Sequence, residues 1–421
     1  MTYNKFISNK PLINEGGSFG RIEFIFENHD LSFTKLREIL DMMIDGSISK
    51  LGAEIKTDGT NLMMSYKDDD FIFARAGKHL RDFGSGALKS PEELKDYLNK
   101  IPDEVSESFR MAAVDMVSAL SKVDDVVLNQ IFGDGEKWLS FEIINPITKN
   151  VLNYQQKSIF VQTIIKVNET GKHIDDDRKL VKLLWEQIEK AGAEHQKSFV
   201  VKPMKAAVFN TNLKADEEKA ETKKYLDNFY AEYDLKETDR IRKYIETWWK
   251  RYIEANSDTT FEEDELEVLI DRFVDGKVDL RLTDFEKYYG KNTVAWIKSI
   301  DKLGKSLNYL ALDPIRFLHD SIGHRSLSRL KTHLSVDQSK TEATFRSDFK
   351  EKIKWVQSLP KDDALRKRFD RDFIRLNKHV ELETFTIAEE GYTYFFDGYI
   401  KKQTGYFSFI NQIFGVGRYN K

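Results

Sequence analysis

Apolar and polar positions change period several times along this chain of 421 residues, and each change marks a predicted element. In "RIEFIF", residues 21–26, they alternate as in a strand with one buried face. In "SFTKLREILDMMI" they recur at three- and four-residue intervals behind a serine suited to capping a helix. Three short strands follow, "AEIK", "NLMMSY" and "FIFARAG", joined by the turn-forming stretches "TDGT" and "KDDD". The pattern is helical over residues 91–122, where "SPEEL" offers an N-cap serine and a proline at the first helical position. "KWLSFEIINP" returns to strand.

From about residue 175 to 380 the chain turns to long, charged helical patterns. "IRKYIETWWKRYI" sets Ile241, Tyr244, Ile245, Trp248 and Tyr252 along one helical face. "KADEEKAETKKYLDNFYAEYD" reads as an exposed helix or a linker. The last 35 residues are strand-like again, with "GYTYFF" and "YIKKQTGYFSFI" around an Asp-Gly turn. The expected fold class is α+β. A β-rich unit, residues 1–155 and 381–421, is split by a mainly helical insert, residues 156–380, long enough to be a domain by itself.

Composition narrows the chemistry. Hydrophobic residues make up 40% and aromatics 12%, which is globular rather than disordered. The absence of cysteine excludes disulfides, thiolate metal ligands and cysteine nucleophiles, and suits a reducing compartment. The first residues lack the apolar core of a signal peptide and no stretch reaches the length of a membrane span, so a cytoplasmic protein, working as a monomer without a membrane partner, is expected. A net charge of −4 gives no global attraction to nucleic acid, so a polyanion would need a local basic surface.

One such surface is expected between Arg346 and Lys378, with eleven Lys or Arg against six Asp or Glu. Phe345, Phe349, Ile353, Leu365, Phe369 and Phe373 recur there at helical spacing, which predicts two amphipathic helices around Pro360 with their charges outward. Arg366, Lys367, Arg368 and Arg371 are the candidate nucleic-acid contacts. The plain alternative is an ordinary solvated helix face.

The chemistry concentrates in the β-rich parts. "EIKTDGTNLMMSY", residues 54–66, places Lys56 two residues before an Asp-Gly pair. Its companions are Arg75 in "FARAGKHL", Glu142 in "LSFEIINP", and Glu390 with Lys401 or Lys402 in "EEGYTYFFDGYIKKQTG". Together these pieces resemble the covalent nucleotidyltransferase superfamily of polynucleotide ligases and mRNA capping enzymes. "KTDGTN" looks like its lysine motif, and the "GTN" ending is closest to phage-type RNA ligases. "FEI" stands where a glutamate motif follows, and "EGYTYF" and "YIKK" look like the last two motifs. The arrangement also resembles uncharacterised large-phage proteins. The resemblance covers about a third of the chain, residues 50–145 and 385–415. The spacing before "EGYTYF" is far longer than in small RNA ligases.

The resemblance implies an antiparallel, ATP-grasp-like ligase core and an ATP-dependent polynucleotide ligase, RNA preferred over DNA. Lys56 would carry AMP. Glu54, Asn61, Arg75, Glu142, Lys401 and Lys402 would contact the nucleotide, and Glu142 and Glu390 would hold Mg²⁺. A lysine nucleophile must lose its proton, so nearby cations or desolvation must lower its pKa. Arg75, Lys401 and Lys402 are expected as those cations. In "KWLSFEII" the apolar Leu139, Phe141 and Ile143 point one way and Glu142 the other.

If "TDGT" and "KDDD" close simple hairpins, Lys56 pairs with Asn61 and Arg75 points to the opposite face; a bulge or one-residue slip reverses this. The same arithmetic around Asp397-Gly398 favours Lys401 beside Glu390, whereas the motif favours Lys402. Alternative functions are nucleotidyl transfer to a protein or small molecule, with the helical insert binding the acceptor, and a non-catalytic phage structural or interaction protein. "HDSIGH", residues 319–324, has its histidines five apart and no acidic partner at metal-site spacing, so it reads as a helix-end polar cluster. "YYGKNT" lacks the upstream glycine of a phosphate loop, and Trp248-Trp249 reads as core or interface.

Overall fold

The computed structural model describes residues 22–57, 59–146, 154–276, 281–332, 354–361 and 391–404, with Glu351, Arg366 and Asp370. Strands and helices are both present in quantity, in keeping with the α+β class. The chain divides into two compact units. Among the described residues, no helix is long and apolar enough to cross a membrane.

The β-rich unit holds two sheets. The smaller has strand order β1-β8-β9, from β1 (Glu54–Ile55), β8 (Gly391–Phe396) and β9 (Tyr399–Thr404). The larger runs β3-β2-β4-β5-β6, from β2 (Thr60–Lys67), β3 (Asp70–Ala74), β4 (Lys137–Ile144), β5 (Ser158–Val167) and β6 (His173–Asp176). β7 (Val200–Pro203) pairs in parallel with the other half of β5's outer edge. All other ladders among the described residues are antiparallel.

Strand alternation gives the larger sheet two unlike faces. Leu62, Met64, Phe73, Leu139, Phe141, Ile143 and Val161 join one apolar core with residues of α2 (Pro91–Tyr97), α3 (Asp103–Leu120), α4 (Asp125–Phe132) and α5 (Arg178–Lys190). Burying a side chain such as Phe141 here contributes about 2 kcal/mol. On the opposite face, Met63, Ile72, Ala74, Trp138, Ile165 and Val167 form a second, smaller cluster. The rest of that face is polar.

The helical unit takes Phe24–Ser47 and Thr211–Ser326. It contains α1 (Phe33–Asp45), α6 (Ala215–Tyr233), α7 (Ile241–Asn256), α8 (Glu263–Asp275), α9 (Leu282–Ala311, kinked at Gly290) and most of α10 (Asp313–Leu327). Ser32 caps α1 by accepting from the Lys35 N–H, and Gly46 ends it at φ 82°. α7 buries Ile241, Tyr244, Ile245, Trp249 and Ile253. Its Trp249 indole donates to Asn308 Oδ1 at 2.7 Å, so Trp249 is a core residue.

Three expectations shift. The units divide at positions other than 155 and 380: the β-rich unit runs through Asn210, because β5 pairs along the whole of β4, and α1 packs with the helical unit. Among the described residues, "RIEFIF" makes a single bridge, Glu23 to Lys401; Ile25–Glu27 is a 3-10 turn, with Phe24, Ile25 and Phe26 all buried rather than alternating. "AEIK" and "NLMMSY" do not pair; they lie in different sheets. Of the expected basic helices, residues 354–358 are helical, and most of the rest falls outside the described residues.

Candidate functional site

Lys56 lies where the chain passes from the small sheet to the large one. Its N–H donates to Gly391 O at 2.9 Å, continuing the β1–β8 ladder. The Ile55 N–H donates to Lys205 O at 2.8 Å on the other side of β1. Four residues after Lys56 the chain enters β2. Gly59 permits this passage: a Cβ there would lie 2.7 Å from Glu142 Oε2, Ile143 O and the Ile144 Cδ1 methyl. Gly391, opposite Lys56, is equally constrained, with φ +150° and space for a Cβ only 2.1 Å from Gln403 O. Lys56 is half-buried, and its Nζ donates to Thr57 O at 3.4 Å.

A row of side chains crosses the large sheet beside this passage. Asn61 on β2 opposes Glu142 on β4, Glu142 opposes Phe160 on β5, and Phe160 opposes Lys202 on β7. Cross-strand partners share a face, so all four point away from the helix-covered core. Lys202 donates to Gln156 Oε1 at 2.9 Å. Burial, and then the charge of Lys205, push its ammonium below the usual lysine range. The chain beyond β7 runs directly to β1, where Ala206 bridges Glu54. Lys202 and Lys205 thus lie on a second passage between the sheets, next to that of Lys56. Asp115 of α3, buried at 2% exposure, fixes the approach to β7 by accepting the Ser198 and Phe199 N–H groups, both at 2.8 Å.

On the small sheet, Glu54, Thr393 and Lys402 form one row. Strand alternation puts Lys56 on the face of this row. Lys401 falls in the next row, opposite Tyr394, and faces the other way. It is ion-paired to Glu23 at 2.9 Å. The register therefore joins Lys402, rather than Lys401, to the Lys56 face. Glu54 is held by Arg178 at 2.7 Å, and that guanidinium also donates to Gly52 O and lies 3.9 Å from the centre of the Phe395 ring. Burial raises the Glu54 carboxyl above the usual range, and Arg178 offsets only part of this.

Arg75 is not brought to this site. Its guanidinium stacks 5.1 Å from the centre of the Phe109 ring on α3, and its N–H donates to His79 Nδ1 at 3.1 Å. With Met63 opposite Ala74, the β2–β3 register turns Arg75 to the helix-covered face. Arg366 is mostly buried and binds both oxygens of Asp370 at 2.9 Å, together with the backbone carbonyls of Val356 and Gln357, so it is not a solvated phosphate contact. Glu390, Lys367, Arg368 and Arg371 lie outside the described residues. His319 packs edge-on to Phe24 and Phe26 with Nδ1 3.3 Å from Asp320, a buried position in the middle of α10 rather than the helix-end cluster expected.

Lys202, Lys205 and Arg178 escaped the sequence reading. "VVKPMK" carries strand composition and two lysines, but its place beside Glu142 depends on a pairing over some forty residues of β5-linked chain. Nothing local marks Arg178, the first residue of α5 after the Asp177 cap. Among the described residues, no group of three or more His, Cys, Asp or Glu is placed to hold a metal ion. Glu142 offers one hard carboxylate on the face of Asn61 and Lys202, which suits Mg²⁺ shared with phosphate and water oxygens. No family model matches the chain, and no curated protein matches it.

Proposed function

We propose that this chain is an ATP-dependent nucleotidyltransferase that works through a lysyl-AMP intermediate and seals 5′-phosphate to 3′-hydroxyl ends of a polynucleotide. RNA is preferred over DNA on the "GTN" resemblance alone. The observation that carries the reading is the place of Lys56 on the connection that passes, through Gly59 packed against Glu142 Oε2, into the strand that opens the Asn61–Glu142–Phe160–Lys202 row.

In this reading the neutral Lys56 amine attacks the α-phosphorus of ATP. The N–P bond forms, the bond to pyrophosphate breaks, and the nitrogen releases its remaining excess proton to water. Lys202 and Lys205 grip phosphate oxygens, the role first expected of Arg75 and Lys401. Lys402 serves from the small-sheet face. Asn61 and Glu142 orient the nucleoside and its phosphates. Glu142 would hold Mg²⁺, which when bound would supply charge neutralisation. AMP then passes to a 5′-phosphate, and a 3′-hydroxyl displaces it.

Incubation with ATP and Mg²⁺ is expected to add one AMP, read by intact mass and mapped to Lys56. Lys56→Arg retains the charge but cannot deprotonate, and loses adduct formation by at least about 10³-fold. An unchanged adduct in that variant sinks the reading. A second acceptor class has its own support. Residues 211–326 hold 20 Lys or Arg against 25 Asp or Glu, an acidic balance that suits a protein or small-molecule acceptor better than a nucleic acid. Release of AMP from the adduct by 5′-phosphorylated RNA or DNA separates the two.

A further inference from the structure

The nucleotide reading leaves open what sets the choice of ligand. A short polar chain behind Asn61 addresses it. Asn61 Nδ2 donates to Ser140 Oγ at 2.7 Å and reaches Phe141 O at 3.5 Å. The Phe141 carbonyl is at the limit of hydrogen-bond distance, so the amide orientation, nitrogen toward Ser140 and oxygen away from it, rests mainly on the Ser140 hydroxyl. Ser140, fully buried, in turn donates from its hydroxyl to Gln162 Oε1 at 3.1 Å. Gln162 stands here because of a β-bulge. Ser140 opposes Thr163 while Phe141 opposes Val161, leaving Gln162 as the extra residue and turning it onto the Asn61 face.

Donors and acceptors then alternate without a gap from Gln162 through Ser140 to Asn61. The chain ends on Asn61 Oδ1, a buried acceptor without a hydrogen-bond partner among the described residues. Thr57 Oγ1, one residue after Lys56, is likewise buried and without a partner among the described residues. A buried acceptor left unmatched costs about 1–3 kcal/mol, so a ligand that supplies a donor is favoured over one that does not.

We infer that Ser140 and Gln162 are positioning residues that lock Asn61 as an acceptor, and that the site thereby selects a nucleotide presenting a hydrogen-bond donor to Asn61 Oδ1. This rests on the nucleotide reading above. The donor is a ribose hydroxyl or an exocyclic amine.

The test measures equilibrium binding of ATP, 2′-deoxy-ATP, 3′-deoxy-ATP and inosine triphosphate to the full chain. Wild type is expected to bind one analogue at least about tenfold more weakly than ATP, and which one identifies the donor. In Ser140→Ala that ratio falls to within about twofold, because the amide is free to turn, while the other two ratios stay put. Gln162→Met gives the same result without touching the smaller buried site. In an Asn61→Ala background the Ser140 change adds nothing further. Equal binding of all four nucleotides by wild type, or an unaltered ratio in both Ser140→Ala and Gln162→Met, overturns the inference alone. Failure of wild type to bind any nucleotide overturns it together with the nucleotide reading.

Discussion

The β2–β4 ladder ends differently at its two ends, although both lie on the same face of one sheet. At the Lys67 end every notable polar group is answered within the chain. Lys67 Nζ donates to Phe83 O at 3.0 Å, the Asp68 N–H to Asp134 Oδ1 at 3.1 Å, and the Trp138 indole to Gly135 O at 2.9 Å. Three tight turns meet there, with positive φ at Asp68, Asp69, Asp82, Phe83, Gly84, Gly133, Asp134 and Gly135. Backbone strain of this kind persists because the surroundings fix it. At the Asn61 end, Asn61 Oδ1 and Thr57 Oγ1 are buried without an internal partner among the described residues. One end ties its polar groups into the fold; the other leaves two buried oxygens unmatched among the described residues.

The sharpest way to break this comparison is one substitution at each end. Gly135 has φ +88°, and a Cβ there would lie 2.3 Å from Phe83 O. Gly135→Ala is expected to lower stability by about 3 kcal/mol, read by denaturant melts, while any folded protein keeps its ATP adduct. Glu142→Gln reverses the pattern: adduct formation slows about 10²-fold with stability changed by less than about 1 kcal/mol. If Glu142→Gln unfolds the chain, its carboxylate belongs to the structural end of the comparison instead.

A smaller effect separates the two faces of the sheet. Arg75 lies over Phe109, on the helix side. Arg75→Met keeps most of the packing but loses the charge over the ring, so stability should fall by about 1 kcal/mol. Adduct formation should stay within about twofold of wild type. A tenfold loss would put Arg75 back among the phosphate contacts.

How much of this was legible depends on the range of the interaction involved. Lys56, Asn61 and Glu142 sit on short patterns that the sequence displays, and alternation alone turns Glu142 away from Phe141 and Ile143. The β8–β9 hairpin was legible because Asp397 and Gly398 both take positive φ, the ordinary reason for an Asp-Gly turn. The same dipeptide before β2 misled. Gly59 has no left-handed φ; it is a glycine because Glu142 and the Ile143 carbonyl approach too closely for a Cβ. A hairpin was therefore expected where the chain changes sheets. β5 was hidden for another reason. Nine of its ten residues are buried, so both faces are covered and alternation disappears. With β5 unseen, β7 and Lys202 had nothing to pair with.

The finest distinction concerns Glu54, two residues before Lys56, whose charge is answered by Arg178 but only in part. Burial holds its carboxyl above the ordinary 4.5, outweighing the pull of the guanidinium. The folded chain therefore keeps this proton after the unfolded chain has lost it. Between 4.5 and the raised folded value, the unfolded state binds fewer protons, so stability falls as pH rises. Below 4.5 the carboxyl is protonated in both states and contributes nothing to the slope. Above the folded value the cost of the buried charge is fully present. Glu54→Gln removes the titration, so thermal melts of wild type and variant are compared from pH 4 to pH 7. Wild type should lose stability relative to the variant as pH rises, by a modest margin. The opposite slope would mean that Arg178 more than offsets burial, and that Glu54 belongs with the fully answered polar groups of the Lys67 end.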